Sequence, residues 1–246
     1  MNIELLTREM KEDIEDQSLE VLAGIASEVV VIGGWAVRAL GGTLHGRYTL
    51  DVDAVAGTDA LERVQGRLLG AFPLERREHP WGVSYGMTYV PRVPVREADR
   101  PKLEGLELRI EVSGPRIHDI DGEHFFEFPL EDAVPRKLHS HAGDLTVPVK
   151  VPPPARMAAA KLGLPVDYKN SFDAVVLLTL ADVDEVVRVI LATDGWRDLV
   201  VRRLRRQAGH LRARDRFEWR LAEGLGLDLD AHGSKLERIH RMLEGG

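Results

Sequence analysis

The chain has 246 residues, 44% of them hydrophobic and 30% charged, with a formal net charge of −7 and no cysteine. This composition is typical of a globular protein, and the missing cysteines exclude disulfides, thiolate catalysis and cysteine-ligated zinc or iron–sulfur sites. No run of about 18 apolar residues occurs and the acidic first residues lack an apolar signal core, so we expect a cytoplasmic protein without membrane contact.

The first part of the chain predicts a mixture of strands and helices. Helices are expected over 18–27, over 34–40 with an end at Gly41-Gly42, and over 58–72 with a cap at Thr58 or Asp59. Strands are expected over 29–33, 48–55 and 106–114, and a hairpin over 117–130 that turns at Asp121-Gly122.

The second part of the chain predicts helices almost throughout. A strand-like alternation ends at Pro152-Pro153-Pro154, and proline is well tolerated in the first turn of a helix. We therefore expect an α+β protein in two domains. Residues 1–151 would form a mixed sheet flanked by helices, and residues 152–246 a helical C-terminal domain.

The stretch from Val29 to Gly57 carries the strongest functional pattern. Gly33 and Gly34 follow a short apolar strand and open a helix, where bare backbone and the helix dipole favour a phosphate group. A dinucleotide-binding turn would need a third glycine, and Trp35 stands where a pyrophosphate would need space. A P-loop would need a Gly-Lys-[Ser/Thr] sequence, which is missing here.

Two aspartates follow the glycines on the next predicted strand. Asp51 and Asp53 are two residues apart, so their side chains project to the same face of that strand. Two adjacent carboxylates repel each other, and a bound divalent cation relieves the repulsion. Magnesium prefers such hard oxygen ligands together with substrate phosphates. The sequence therefore predicts a magnesium–phosphate site.

A third carboxylate is expected on the strand over 106–114. Glu107 and Glu111 both lie on the face opposite the apolar residues of that strand, and both stay open as candidates. We favour Glu111, because Ile110 and Val112 flank it in the most strand-like part. Two metal ions held by such carboxylates would activate an attacking oxygen and stabilise a leaving pyrophosphate.

These residues resemble the motif of the DNA polymerase β-like nucleotidyltransferase superfamily. That motif is an apolar residue before Gly-Gly or Gly-Ser, a helix, a strand with two acids around one apolar residue, and a third acid on a later strand. The sequences GGWAV and RYTLDVD are most similar to two branches. One contains the aminoglycoside and lincosamide nucleotidyltransferases, and the other contains the abortive-infection, toxin-like nucleotidyltransferases.

The toxin-like branch adds residues from the helical part. Its members carry a lysine on the first helix after the sheet, then a Lys-Asp step and a further aspartate. Lys161, Lys169 and Asp173 occur here in a similar order. The Lys-Asp step reads Lys169-Asn170, which departs from the branch pattern.

The resemblance implies a magnesium-dependent transfer of a nucleoside monophosphate from a nucleoside triphosphate such as ATP. The acceptor would be a hydroxyl or phosphate on a small molecule, an RNA end or a protein. Asp51 and Asp53 would hold two Mg²⁺ (or Mn²⁺) ions, and Glu111 one of them. The implied catalytic and nucleotide-binding residues are Gly33, Gly34, Arg47, Thr49, Asp51, Asp53, Glu111, Lys161, Lys169 and Asp173.

Individual roles follow from the resemblance for three of these residues. Lys161 would neutralise charge on the triphosphate as the transition state forms. Arg47 would either clamp a phosphate or tie the turn to the strand. Thr49 is expected to fix the strand by a hydrogen bond.

The segment Arg197–Arg220 contains nine arginines and three acidic residues. It could steer an RNA acceptor through phosphate contacts, or it could be a solvated helix face. It could also pair with the acidic first half, with a second copy of the chain in a homodimer, or with an antitoxin-like partner.

Two alternatives to an active transferase stay open. The chain could be a nucleotide-binding or catalytically inactive module of the same fold that acts through a partner. It could also be an unrelated phosphate-handling hydrolase. The presence of all three acids favours the transferase.

Overall fold

The structure, a computed structural model, describes residues 6–79, 82–118, 124–212 and 217–245. The described residues form two compact units. The first lies within Met1–Trp35, Arg47–Pro115 and Pro135–Val151, and the second within Ala36–Gly46, Arg116–Val134 and Pro152–Gly246. The chain changes unit at Val151, where the sequence predicts a domain boundary, and also after Trp35, Gly46, Pro115 and Val134.

The first unit is built around a five-stranded mixed sheet. Its elements are α1 (Arg8–Ile25), β1 (Val30–Val31), β2 (Val52–Val55), α3 (Thr58–Ala71), β3 (Glu75–His79), β4 (Gly82–Thr88), α4 (Arg100–Leu103), β5 (Glu107–Ser113), β8 (Val134–His139) and β9 (Thr146–Val151). The strand order of the sheet is β1-β2-β5-β4-β3, and β8 and β9 form a separate pair. Strands β2 and β5 are parallel, and the other three neighbouring pairs of the sheet are antiparallel.

The sheet has one apolar face and one polar face, because side chains alternate along each strand. Val52 and Ala54 of β2 and Ile110 of β5 are buried, whereas Asp53 and Glu111 are half-buried on the other side. Helix α1 packs into the core on the apolar side, where its apolar residues join others from the loops and β5. This cluster contains Leu6, Met10, Ile14, Tyr89, Leu103, Leu106 and Leu108.

The second unit is mainly helical. Its elements are α2 (Gly33–Gly41, which begins in the first unit), β6 (Arg116–His118), β7 (Phe125–Glu127), α5 (Pro154–Leu162), α6 (Tyr168–Leu180), α7 (Val183–Ala192), α8 (Trp196–Arg212), α9 (Phe217–Gly224) and α10 (Leu229–Glu244). The Phe126 ring packs against those of Phe128 and Trp196, and the Trp196 indole donates to the carbonyl of Ala159 at 2.9 Å. The antiparallel strands β6 and β7 form the predicted hairpin, whose turn at Asp121-Gly122 lies outside the described residues.

Several details of the predicted elements are wrong. The helix expected over 18–27 begins ten residues earlier, at Arg8, and ends at Ile25. No side chain caps α3, whose N-cap is Gly57 rather than Thr58 or Asp59. The strand predicted over 48–55 begins only at Val52, because the N–H of Thr49 donates to the side chain of Glu15 instead of a neighbouring strand. Thus α1 reaches into the segment that precedes the aspartates.

The fold class is confirmed, with a mixed sheet, flanking helices and a helical C-terminal region. Within the described ranges, no helix is both long and apolar enough to span a bilayer.

Candidate active site

Asp53 and Glu111 lie side by side on adjacent parallel strands. The register of β2 and β5 pairs Asp53 with Glu111, and paired residues of neighbouring strands point to the same face. Both residues are half-buried, while Asp51 is exposed and lies just before the start of β2. The structure therefore brings together two of the three predicted carboxylates in the sheet and places the third two residues ahead.

The register also separates the two candidates for the third carboxylate. Glu107 is paired with Thr88 of β4, and Arg77 donates to both of its carboxylate oxygens at 2.8 and 2.6 Å. These hydrogen bonds lower the pKa of Glu107. Glu111 stands beside Asp53 and forms an ion pair with Arg109. Of the two, Glu111 is the neighbour of the aspartate strand.

The two glycines that open α2 lie against side chains of the aspartate segment. Gly33 has a φ of +65°, and a β-carbon there would lie 2.2 Å from Oδ2 of Asp53. A β-carbon on Gly34 would lie 2.9 Å from the Thr49 hydroxyl oxygen and 3.0 Å from a guanidinium nitrogen of Arg47. The missing side chains thus make room for Asp53, Thr49 and Arg47 at the start of the helix.

Thr49 is fixed by its main chain rather than by its hydroxyl. Its N–H donates to Oε1 of Glu15 at 2.8 Å. Its hydroxyl oxygen is buried and has no hydrogen-bond partner among the described residues. The expected role in fixing this segment is therefore carried by the peptide group, and the hydroxyl is left beside Gly34. Arg47 donates to the carbonyl of Tyr48 at 3.3 Å.

Sequence reasoning missed Glu15, which has no exposed surface. Its second oxygen, Oε2, lies 2.8 Å from Nδ1 of His141, and the His141 ring stacks on Tyr48 with centroids 4.2 Å apart. The position of Glu15 between Ile14 and the buried Ser18 on the inward side of α1 is the signal that could have found it.

The second unit contains a buried ionic cluster around Asp173. The Asp173 carboxylate has no exposed surface, with Oδ2 2.8 Å from Nζ of Lys161 and Oδ1 3.1 Å from Nε2 of His45. The Lys161 side chain is also buried. Lys161 and Asp173 are therefore in direct contact, and both carboxylate oxygens of Asp173 have protein partners. Lys169 is exposed in the first turn of α6.

Asn170, the departure from the branch pattern, belongs to the same cluster. Its Oδ1 accepts from Lys161 Nζ at 3.1 Å, and its Nδ2 donates to the carbonyl of Pro165 at 3.0 Å. The neutral amide thus bridges Lys161 to the loop before α6. An aspartate there would place a second carboxylate next to that of Asp173.

Four of the arginines of α8 occupy the face opposite its apolar residues. Leu199, Val200, Leu204 and Leu211 are buried, whereas the helix exposes Arg202, Arg205, Arg206 and Arg212. Arg205 pairs with Glu244 at 3.0 Å, and Arg197 donates to the carbonyl of Leu243. Arg214 and Arg216 lie outside the described residues.

The donor types in the first unit suit a hard divalent cation, since carboxylate oxygens are the ligands that magnesium prefers. Asp51, Asp53 and Glu111 would supply them. In the part of the chain that the structure describes, no three histidine, aspartate or glutamate residues form a group that could hold a metal ion. Glu111 would have to leave Arg109 to join such a group.

Two solved structures from Helicobacter pylori resemble this one over nearly their whole length. The crystal structure of JHP933 has a TM-score of 0.51 and 14% sequence identity, over 98% of this chain and 95% of that chain. A second crystal structure, of a protein provisionally named a nucleotidyltransferase, has a TM-score of 0.50 and 14% identity, over 98% of each chain. No protein-family model and no curated protein sequence matches the chain. The chain has a nucleotidyltransferase-like fold.

Proposed function

We propose that the protein is a metal-dependent nucleotidyltransferase. The single observation that supports this best is the pairing of Asp53 with Glu111 on adjacent parallel strands, with Asp53 lying over Gly33 at the start of α2. Carboxylates beside a helix N-terminus suit a ligand that carries both phosphate and metal. The provisionally named structural neighbour supports the same class.

In the proposed reaction, an acceptor oxygen attacks the α-phosphorus of a nucleoside triphosphate. The new oxygen–phosphorus bond forms as the bond to the β-phosphate oxygen breaks, and pyrophosphate leaves. The acceptor's proton passes to a carboxylate of the Asp53–Glu111 pair. Bound magnesium would supply Lewis-acid stabilisation of the developing charge.

The chain's own residues would hold and orient the substrate. The main chain at Gly33-Gly34 and the buried Thr49 hydroxyl would receive phosphate oxygens, and Arg47 would add positive charge beside Gly34. Asp51 and Asp53 would hold the metal ions, and Glu111 would join them. In the second unit, we propose Lys161 as the cation that neutralises charge on the triphosphate, and its ion pair with Asp173 fixes its position. Lys169 is exposed and is proposed to contact the nucleotide.

The test is an incubation with magnesium and each nucleoside triphosphate, labelled once on the α-phosphate and once on the γ-phosphate. A transferase moves the α-label to an acceptor and releases the γ-label as pyrophosphate. A hydrolase releases inorganic phosphate and leaves no α-labelled adduct. Asp53→Asn serves as the matched inactive variant.

A second candidate is a nucleotide-binding module without turnover. The ion pair between Glu111 and Arg109 favours it, because a carboxylate that is already neutralised is a poorer metal ligand. Such a module would act through a partner in the manner of an antitoxin. It would bind magnesium nucleotide but yield neither pyrophosphate nor adduct with small-molecule, RNA or protein acceptors.

For the acceptor, we propose RNA bound at the exposed arginine face of α8. Arg202, Arg206 and Arg212 are exposed on that face, and the guanidinium group contacts phosphate oxygens with parallel hydrogen bonds. RNA affinity should fall steeply as the salt concentration rises. The slope of log affinity against log salt concentration should become shallower by about 0.7 for each phosphate that is no longer bound. Arg202→Gln/Arg206→Gln should lower both affinity and slope. A double variant with unchanged affinity would instead favour a small-molecule or protein acceptor.

A further inference from the structure

The first helix holds the segment that leads into the aspartates. Glu15 of α1 accepts from the N–H of Thr49 at 2.8 Å, and the Ser18 hydroxyl lies 2.9 Å from the carbonyl oxygen of Leu50. Thr49 and Leu50 lie outside regular secondary structure, directly before Asp51. One turn of α1 therefore binds consecutive residues of the main chain immediately ahead of the site.

Burying the carboxylate of Glu15 at this position costs folding free energy. A carboxylate with no exposed surface loses its hydration, and this loss is compensated only where hydrogen-bond donors surround it. Here Oε1 receives a peptide N–H and Oε2 lies 2.8 Å from His141 Nδ1. An apolar residue would fill the same volume at lower cost, but it would leave the Thr49 N–H without its acceptor.

His141 extends the same contact to the next residue along the segment. Its ring is held by Glu15 and stacks on Tyr48 with an interplanar angle of 29°. Lys11 of α1 lies over Tyr48 as well, with its Nζ 5.7 Å from the ring centroid. Residues 48, 49 and 50 are thus each held from α1, directly or through His141.

We propose that Glu15 is a positioning residue for the Asp51–Asp53 site. It fixes the main chain at Thr49, and through it the direction in which the chain enters β2 and presents the two carboxylates. This inference rests on the proposed function for its catalytic consequence. Its structural core, the immobilisation of residues 47–51 by Glu15, stands independently of that function.

The experiment compares Glu15→Ala and Glu15→Gln with a matched control on the same helix. Asp13 is also a buried carboxylate of α1, and its Oδ2 accepts from the Arg92 N–H at 2.9 Å and the Tyr89 hydroxyl at 2.6 Å. Asp13→Asn therefore perturbs a similar buried anchor that holds a segment away from the aspartates. Amide hydrogen exchange of the peptide covering 47–51, read by mass spectrometry on the full chain, is measured with magnesium-nucleotide affinity and turnover.

Glu15→Ala should speed amide exchange in 47–51 by at least about tenfold, because local opening is no longer opposed by the hydrogen bond. It should also lower kcat/KM by about tenfold or more. Glu15→Gln keeps an acceptor oxygen for Thr49 and should restore most of the exchange protection. Asp13→Asn should leave both readouts within about twofold of wild type.

Exchange in 47–51 that is the same in Glu15→Ala and Asp13→Asn would overturn the proposal. If Glu15→Ala does not fold, Glu15→Met takes its place, because it fills the same volume without an acceptor for the Thr49 N–H. Exchange in 47–51 that is the same in Glu15→Met and Glu15→Gln would overturn the proposal too. Failure of the proposed function is recognised separately, since wild-type protein would then neither bind nor turn over nucleotide. The exchange comparison would still decide whether Glu15 fixes the segment.

Discussion

A β-carbon on Gly33 would lie 2.2 Å from Oδ2 of Asp53, far inside van der Waals contact. The backbone of Gly33 also has a φ of +65°, which L side chains rarely adopt. The two constraints act together: the glycine lets the helix start in this conformation and lets the aspartate lie over it.

Gly33→Ala is expected to abolish magnesium-nucleotide binding, because the new methyl group displaces the Asp53 carboxylate. The strained backbone should also lower the free energy of unfolding by about 1–3 kcal/mol. Gly42→Ala is the matched control, since Gly42 has a φ of +55° and a β-carbon there would have no atom within 4 Å. Calorimetric titration and urea denaturation check both. Equal nucleotide affinity in the two variants would contradict the role given to Gly33.

Glu111→Gln should lose turnover by about two orders of magnitude or more, as expected for a group that acts in the transition state. Glu107→Gln should keep turnover within a few-fold of wild type, because Glu107 lies at the other end of β5 and its carboxylate binds Arg77. Steady-state pyrophosphate release distinguishes the two variants. The reverse result would make Glu107 the third carboxylate.

Asp173→Asn should lower the free energy of unfolding by about 3–5 kcal/mol, because it leaves the buried Lys161 ammonium without a charged partner. Asp184→Asn is the control in the same unit. This substitution breaks the ion pair between Asp184 and Arg238, whose side chains are each 52% exposed. It should lower the free energy of unfolding by less than about 1 kcal/mol. Urea denaturation, fitted with one m-value for both variants, measures the two changes in unfolding free energy. Similar small losses in the two variants would mean that the Lys161–Asp173 contact contributes little.

His232 predicts a pH dependence of stability. The pKa of His232 is lowered from 6.5 to about 3, mainly because the side chain is buried and to a lesser extent because the positive charge of Lys235 is nearby. The folded state therefore keeps the imidazole neutral while the unfolded state takes up a proton below about pH 6.5. Stability is full above that pH and falls by up to about 1.4 kcal/mol per pH unit as pH drops towards 3.

His232→Leu removes this titration and fills the buried site with an apolar side chain. Urea denaturation at pH 7.5, 6 and 5 should show a shallower loss of stability in the variant than in wild type. Parallel pH curves for the two proteins would show that His232 does not titrate as its burial implies.

The sequence predicted the parts of the site that depend on local pattern. The alternation around Val52 and Ile110 indicated which faces of β2 and β5 are polar, and this proved correct. The strand–glycine–helix order of the Gly33 unit was also visible, because β-branched residues and glycine have strong local preferences. These preferences operate over a few residues and need no tertiary information.

Contacts between distant segments were not predictable from the sequence. The register that pairs Asp53 with Glu111 depends on which strands become neighbours, and periodicity gives no such information. The hydrogen bond from Thr49 to Glu15 joins residues 34 positions apart, and it shortened the predicted strand. Lys161 and Asp173 were named only from their order along the chain, and their contact, its burial and its link to His45 came from the structure.

The most direct test of the central claim is a calorimetric titration of magnesium nucleoside triphosphate into wild-type protein and Asp53→Asn. We expect the wild type to bind only when magnesium is present. We expect Asp53→Asn to lose this binding while its circular dichroism and unfolding midpoint stay close to those of wild type. Binding by Asp53→Asn that is as tight as that of the wild type would show that the Asp53–Glu111 pair is not the metal-nucleotide site.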